Sequence, residues 1–159
     1  MKKTNAGRIL DKLKISYKLL QYEVDENDLS AENVAGKLQI PLEQVFKTLV
    51  LRGDKTGIII ACLPGGAELN LKLLAKLSGN KKVEMISMKE IQTITGYIRG
   101  GVSPIGMKKN YPTYIHESCV EFSTIMMSAG QRGLQILLSP KDLIAIIDAT
   151  LGNIIVEDI

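Results

Sequence analysis

The sequence predicts a mixed α/β domain with a curved, partly antiparallel sheet. Strand-length runs rich in Val, Ile, Leu and Thr are interspersed with short helical patterns, without the regular βαβ alternation of a doubly wound sheet. Turn signals such as Asp54-Lys55-Thr56-Gly57 and Ala129-Gly130-Gln131-Arg132-Gly133 join neighbouring runs directly, as antiparallel hairpins require.

Residues 5–14 place Ile9, Leu10 and Leu13 at helical spacing and form the first helix. Residues 17–24 follow as a strand. Ser30 is an N-cap for a helix to about Leu38, stopped before Pro41, after which a short helical turn leads into a strand over 45–52. The turn at 54–57 returns the chain as a strand over 58–63. Pro64-Gly65-Gly66 breaks the path before a helix over about 69–77, with Gly79 just past its end. A strand near Val83 and a short helix over 87–94 come next. Residues 96–106 hold four glycines and a proline and are largely loop. Strands over 113–116, 124–128 and 134–138 follow. Ser139-Pro140-Lys141-Asp142 then starts a helix with an N-cap serine, proline at N1 and an acid in the first turn. That helix is expected to end near Leu151–Gly152, with 154–156 as a last strand or tail. No repeat, low-complexity tract or linker interrupts residues 1–159, which are expected to form one domain.

Hydrophobic residues are 45% and charged residues 23%, a globular and not a disordered balance. With no Trp and two Phe, the core must be aliphatic, and a base-stacking platform of several exposed rings is excluded. A net charge of +3 allows contact with a nucleic acid without the strongly basic face of a duplex binder. Lys2–Lys3 and Lys81–Lys82 read as solvated surface, whereas Lys108–Lys109, beside the glycine-rich loop, are candidates for phosphate contact. No apolar stretch has the length of a secretory h-region or a membrane span, and Cys62 and Cys119 lack CxxC spacing. A cytoplasmic protein with reduced thiols is expected.

Neither a phosphate-binding P-loop nor a dinucleotide fingerprint is present. His116 and Cys119 offer two metal ligands where zinc needs three or four, so neither a metal nor another cofactor is expected. As a nucleophilic pair they lack an oxyanion-hole motif, and the plainer reading is a surface histidine beside a buried cysteine. The Gly130–Gly133 pair has KH-like GxxG spacing but is flanked by strands, so a hairpin turn accounts for it better. Lys47 sits within Val45-Phe46-Lys47-Thr48-Leu49, on the same strand face as Leu49 and Leu51. A lysine there either snorkels to water or is a partly desolvated cation aimed into a cleft, suited to an anion or a polarised carbonyl. The loop around Arg99-Gly100-Gly101-Val102-Ser103-Pro104 lets backbone N–H groups approach a ligand closely.

The segments VFKTL (45–49), GYIRGGVSPIGMKKNYPT (96–113) and SAGQRGLQI (128–136) resemble the YbaK/EbsC members of the tRNA-editing superfamily, related to the insertion domain of prolyl-tRNA synthetase. The resemblance runs from the first helix to the region of Asp148. It implies a barrel-like mixed sheet flanked by short helices, and an enzyme that removes cysteine from mischarged Cys-tRNA(Pro) without supplying a nucleophile, the substrate thiol attacking its own ester. It implies Lys47 as the essential lysine and Tyr22 as a residue shaping the same pocket. It also implies a loop of Gly100, Gly101, Ser103 and Pro104 that receives the terminal adenosine. Partners would be the acceptor end of tRNA and a prolyl-tRNA synthetase, with no membrane. The chain departs from the pattern at Gln135, where family members carry Asp in G-L-D-I. Two other readings stay open: a non-catalytic module that holds tRNA or a regulatory partner, and an editor of another small amino acid such as alanine.

Overall fold

The computed structural model describes residues 4–157, so the Lys2–Lys3 pair lies outside the described residues. Helix α1 (Asn5–Lys12) begins where Thr4 Oγ1 accepts the Gly7 N–H at 3.1 Å, and it buries Ala6 and Leu10. Strand β1 (Tyr17–Gln21) joins a three-stranded antiparallel sheet of order β1-β7-β6, with β6 at Ile125–Gln131 and β7 at Leu134–Leu138. Helix α2 (Ala31–Leu38) starts as expected at Ser30, whose side chain accepts from Asn33 N.

The second sheet has the order β4-β2-β3-β5-β8. Strands β2 (Phe46–Gly53) and β3 (Gly57–Pro64) form a hairpin that β4 (Val83–Met85) extends on one side. On the other side β5 (Thr113–His116) runs parallel to β3, and β8 (Thr150–Gly152) parallel to β5. Alternate residues of β3 divide between two cores. Ile60 and Cys62 face Met127, Ile136 and Leu138 of the small sheet, while Ile59, Ala61 and Leu63 pack against Leu74 and Ala75 of helix α3 (Leu71–Ser78). Burial on both faces is why 58–63 is apolar without alternation.

The mixed α/β class and the antiparallel share of the sheet are as expected, but the barrel-like description is not. Both sheets are open, and one isolated parallel bridge, Val45 to Met126, links them. That bridge is confined to one residue pair, so no ladder runs from β2 into β6. Helix α4 is the short segment Ile91–Thr95, and a second correction concerns helix α5 (Pro140–Ile147), which ends before Leu151. Asp148 takes the left-handed conformation at φ 50, available to aspartate at low cost, and Ala149 N closes the turn on Ile144 O. The residues that follow become β8. Beyond it, Ile155 bridges Leu69 and the Val156 N–H bonds Glu68 O at 2.8 Å, so 154–156 is a pinned tail. No helix among the described residues is long and apolar enough to cross a membrane.

Candidate functional site

Strand β4 pairs with only Leu51–Gly53 of β2, and the Ile86 N–H adds one bond to Val50 O at 3.3 Å. The N-terminal half of β2 therefore has one bare edge. Backbone groups alternate sides along a strand, so the Thr48 N–H and C=O point the same way as Val50 O, out from that edge. Here a cleft of about 320 Å³ opens between the two sheets. Lys47, Thr48, Tyr22, Gly100, Ser128 and Gln135 all line it.

Each of these is placed by a different element. Lys47 is in the second position of β2, half-buried, and its Nζ donates to Ala67 O at 2.7 Å. Burial lowers its pKa from the ordinary lysine value, and the carboxylates of Glu32 and Glu68 oppose that shift. An ammonium has three donors, so two N–H groups remain for a ligand. Tyr22 extends β1 by one residue, its N–H bonding Gly133 O at 3.0 Å. Gln135 is central in the small sheet, opposite Leu20 on one side and Ser128 on the other. It is only 5% exposed, and its amide makes no hydrogen bond among the described residues. The residue is buried but its amide is open to the cleft, which suits it to a polar group of a ligand.

The glycine loop divides. Gly100 lies at the cleft with φ +84, but Gly101, Ser103 and Pro104 do not line it. Gly101 abuts the β6–β7 turn so closely that a Cβ would sit 3.2 Å from Gln131 Cα. Ser103 is fully buried and its Oγ accepts the Ile105 N–H at 3.3 Å. Pro104 lines a separate cleft with Lys109 and Tyr111, and Lys108 Nζ bonds Thr93 O, so neither lysine reaches the Lys47 cleft. Sequence reasoning missed Thr48 and Ser128. The usable signal was register: Thr48 adjoins Lys47, and Ser128 pairs directly with Gln135. It also missed Met85 and Met88, exposed apolar side chains on the cleft's rim.

The thiols are far from nucleophilic. Burial pushes Cys62 up to about 12 and Cys119 up to about 11. His116 is not on the surface, as the sequence reading had it. It is 7% exposed, and its Nδ1 accepts the Ile154 N–H at 3.3 Å, holding the C-terminal tail. Its pKa is lowered by burial, with Glu117 and Glu121 opposing. Among the described residues no group of three or more potential ligands is placed to hold a metal. A larger cleft, about 760 Å³, lies across the 64–68 segment, lined by Glu43, Glu68, Glu121, Glu157, His116 and Ser118. Four carboxylates and no Lys or Arg make it unsuited to a polyanion.

The family model of the aminoacyl-tRNA editing domain matches residues 25–146. The chain is 48% identical over 156 residues to the Enterococcus faecalis protein named "Putative Cys-tRNA(Pro)/Cys-tRNA(Cys) deacylase EbsC", covering 98% of this chain and 95% of that one. It is 33% identical over 103 residues to the proline–tRNA ligase of Sulfurihydrogenibium sp., a match covering 65% of this chain and 18% of the ligase. A crystal structure described as "a putative trans-editing enzyme for prolyl tRNA synthetase" superposes with a TM-score of 0.81 at 21% identity, over 99% of this chain and 100% of that one.

Proposed function

The chain belongs to the aminoacyl-tRNA editing domain family, and from that premise we propose that it is a trans-editing deacylase, one that releases cysteine from mischarged Cys-tRNA(Pro) in the cytoplasm. The observation that carries this reading is the convergence of Lys47, Tyr22, Gly100 and Gln135, from four separate segments, on one cleft of about 320 Å³. That volume is at the small end for ligand pockets, in keeping with a small aminoacyl group and the sugar it is attached to.

The ester to be broken joins the cysteine carbonyl carbon to a ribose oxygen of the terminal adenosine. In the proposed step the substrate's sulfur attacks that carbon, a C–S bond forms and the ester C–O bond breaks. The thiol proton ends on the released ribose hydroxyl, leaving a cyclic thiolactone that water opens. The protein contributes placement and electrostatics. Lys47, one N–H on Ala67 O and two free, holds the acceptor end. Backbone N–H groups of the loop at Gly100 polarise the ester carbonyl. Gln135 accepts from the amino group or thiol of the cysteine. The state of the two cysteines and the histidine supports this division of labour: both thiols are buried with raised pKa values, and His116 is tied to the tail. The partners are then the tRNA acceptor end and, upstream, a prolyl-tRNA synthetase that makes the error.

The test is a deacylation panel: tRNA(Pro) charged with cysteine, alanine or serine, and tRNA(Cys) charged with cysteine. Fastest release of cysteine from tRNA(Pro) is expected. Protection of the ester would mark a binder, and preference for alanine would mark a different editor.

A further inference from the structure

The two loops that overhang the cleft have no strand ladder of their own. One is the segment 23–30 after Tyr22, the other the glycine loop around Arg99–Gly101. Both are tied to the two-residue turn between β6 and β7, through one side chain. Arg132 Nε donates to Arg99 O at 2.8 Å, and its Nη1 donates to Glu26 Oε2 at 2.9 Å. Close packing surrounds these bonds. A Cβ on Gly100 would lie 3.1 Å from both Arg132 Nε and Leu29 Cδ1, and one on Gly101 3.2 Å from Arg132 N. The next residue of the turn, Gly133, accepts the Tyr22 N–H through its carbonyl at 3.0 Å. One turn therefore fixes the positions of Tyr22, Gly100 and Leu29 at the cleft.

We infer that Arg132 is a positioning residue: its guanidinium clamps the glycine loop and the 23–30 segment together and so sets the width of the cleft between Gly100 and Tyr22. This rests on the deacylase reading above. The fork geometry of a guanidinium serves two acceptors at once, which a lysine ammonium on a flexible stem does not reproduce. The Arg132 and Glu26 side chains are 29% and 71% exposed, so the pair adds little to global stability. Its effect is local, on the two loop segments that it joins to the β6–β7 turn.

The experiment compares the wild-type chain with Arg132→Ala, Arg132→Lys and Glu26→Gln in steady-state deacylation of Cys-tRNA(Pro) and in amide hydrogen exchange. For Arg132→Ala, KM is expected to rise about tenfold and kcat to fall several-fold, because the misplaced loop both seats the substrate and polarises its ester carbonyl. Arg132→Lys recovers part of the loss, and Glu26→Gln shows a smaller rise in KM. The Gly101 amide, bonded to Ile98 O, and the Tyr22 amide should exchange faster in Arg132→Ala at an unchanged melting temperature. Unaltered KM and unaltered exchange at these two amides would overturn the inference. So would a lowered melting temperature with KM unaltered, which marks a merely structural arginine. Glu26→Gln, a change at an exposed carboxylate, decides the matter if Arg132→Ala fails to fold. The exchange arm needs no substrate: an inactive wild-type chain sinks the deacylase reading, while the clamp stands or falls on Gly101 and Tyr22.

Discussion

Two clefts meet where Lys47, in the lining of one, bonds the carbonyl of Ala67, in the lining of the other, and they are opposite in character. The one at the bare edge of β2 is about 320 Å³ and offers a lysine, a free backbone edge and an unpartnered amide. The one behind it is about 760 Å³ and offers four glutamates and a tethered histidine. Size alone would choose the second. The chemistry of a phosphate-bearing substrate chooses the first, because carboxylates repel an RNA backbone and a half-buried ammonium attracts it. A net charge of +3 conceals this sorting, since it averages a cationic cleft with an acidic one.

The contrast is broken most severely at Lys47. Lys47→Ala should reduce deacylation by about 10²–10³-fold, the loss expected for one positioned donor, with a melting curve close to wild type. Near-normal turnover by the folded variant would remove the lysine from the reaction.

Gln135 sharpens the contrast in chemistry. Gln135→Asp supplies a charged acceptor one methylene shorter, and charge-assisted hydrogen bonds are about twice as strong as neutral ones. Release of cysteine should rise several-fold, in line with a gain of about 1 kcal/mol. An unchanged rate would leave the amide as wall and nothing more, and a switch of preferred amino acid would favour the rival specificity.

A smaller effect is expected where the two clefts touch. Glu68 lies on the acidic side yet raises the Lys47 pKa against the lowering effect of burial. Activity that needs the protonated ammonium is lost as pH rises through the lysine's pKa. Glu68→Gln removes a favourable charge, so the alkaline limb of the kcat/KM profile should move to lower pH. No movement, or movement upward, would separate Lys47 from that limb. Smallest of all, neutralising Glu43 and Glu121 together should leave kcat/KM within about twofold, because both are exposed and screened by salt and the carboxylates that act on Lys47 are Glu32 and Glu68. A large change in either direction would show that the acidic cleft takes part in the reaction.

Much of the fold was legible because its signals are local. Ser30 caps α2 through its own side chain, Gly79 ends α3 at φ 77, and Pro140 begins α5. Strand β8 was not legible: Thr150–Gly152 carries no strand pattern and is held by parallel pairing with β5, some 36 residues away (150 − 114). The site followed the same division. Lys47 stood out as a cation among apolar residues of one strand face, and the structure puts it in a cleft with Tyr22, Gly100 and Gln135. The placement of Ser103 and Pro104 was not legible, because glycine and proline announce a loop without saying which side each residue turns to. Ser103 turns inward to cap Ile105, and Pro104 turns to another cleft. Arg132 carried no signal beyond a hairpin, since its partners Glu26 and Arg99 are remote in sequence.

The pairing of β1 with β7 has a consequence for the order in which a nascent chain matures. Tyr17 lies opposite Leu138 and Gln21 opposite Leu134, so β1 waits for a strand made much later in the chain. Translation adds about 5–20 residues per second, so β1 stays unpaired for several seconds at least. The β2–β3 hairpin, whose turn is local, has no such delay. Lys47 therefore acquires its strand partner early, whereas Tyr22 and Gln135 meet only after residue 138 has left the ribosome. A truncated product lacking β7 retains the lysine strand but never assembles the opposite wall, so premature termination yields no partial editing enzyme.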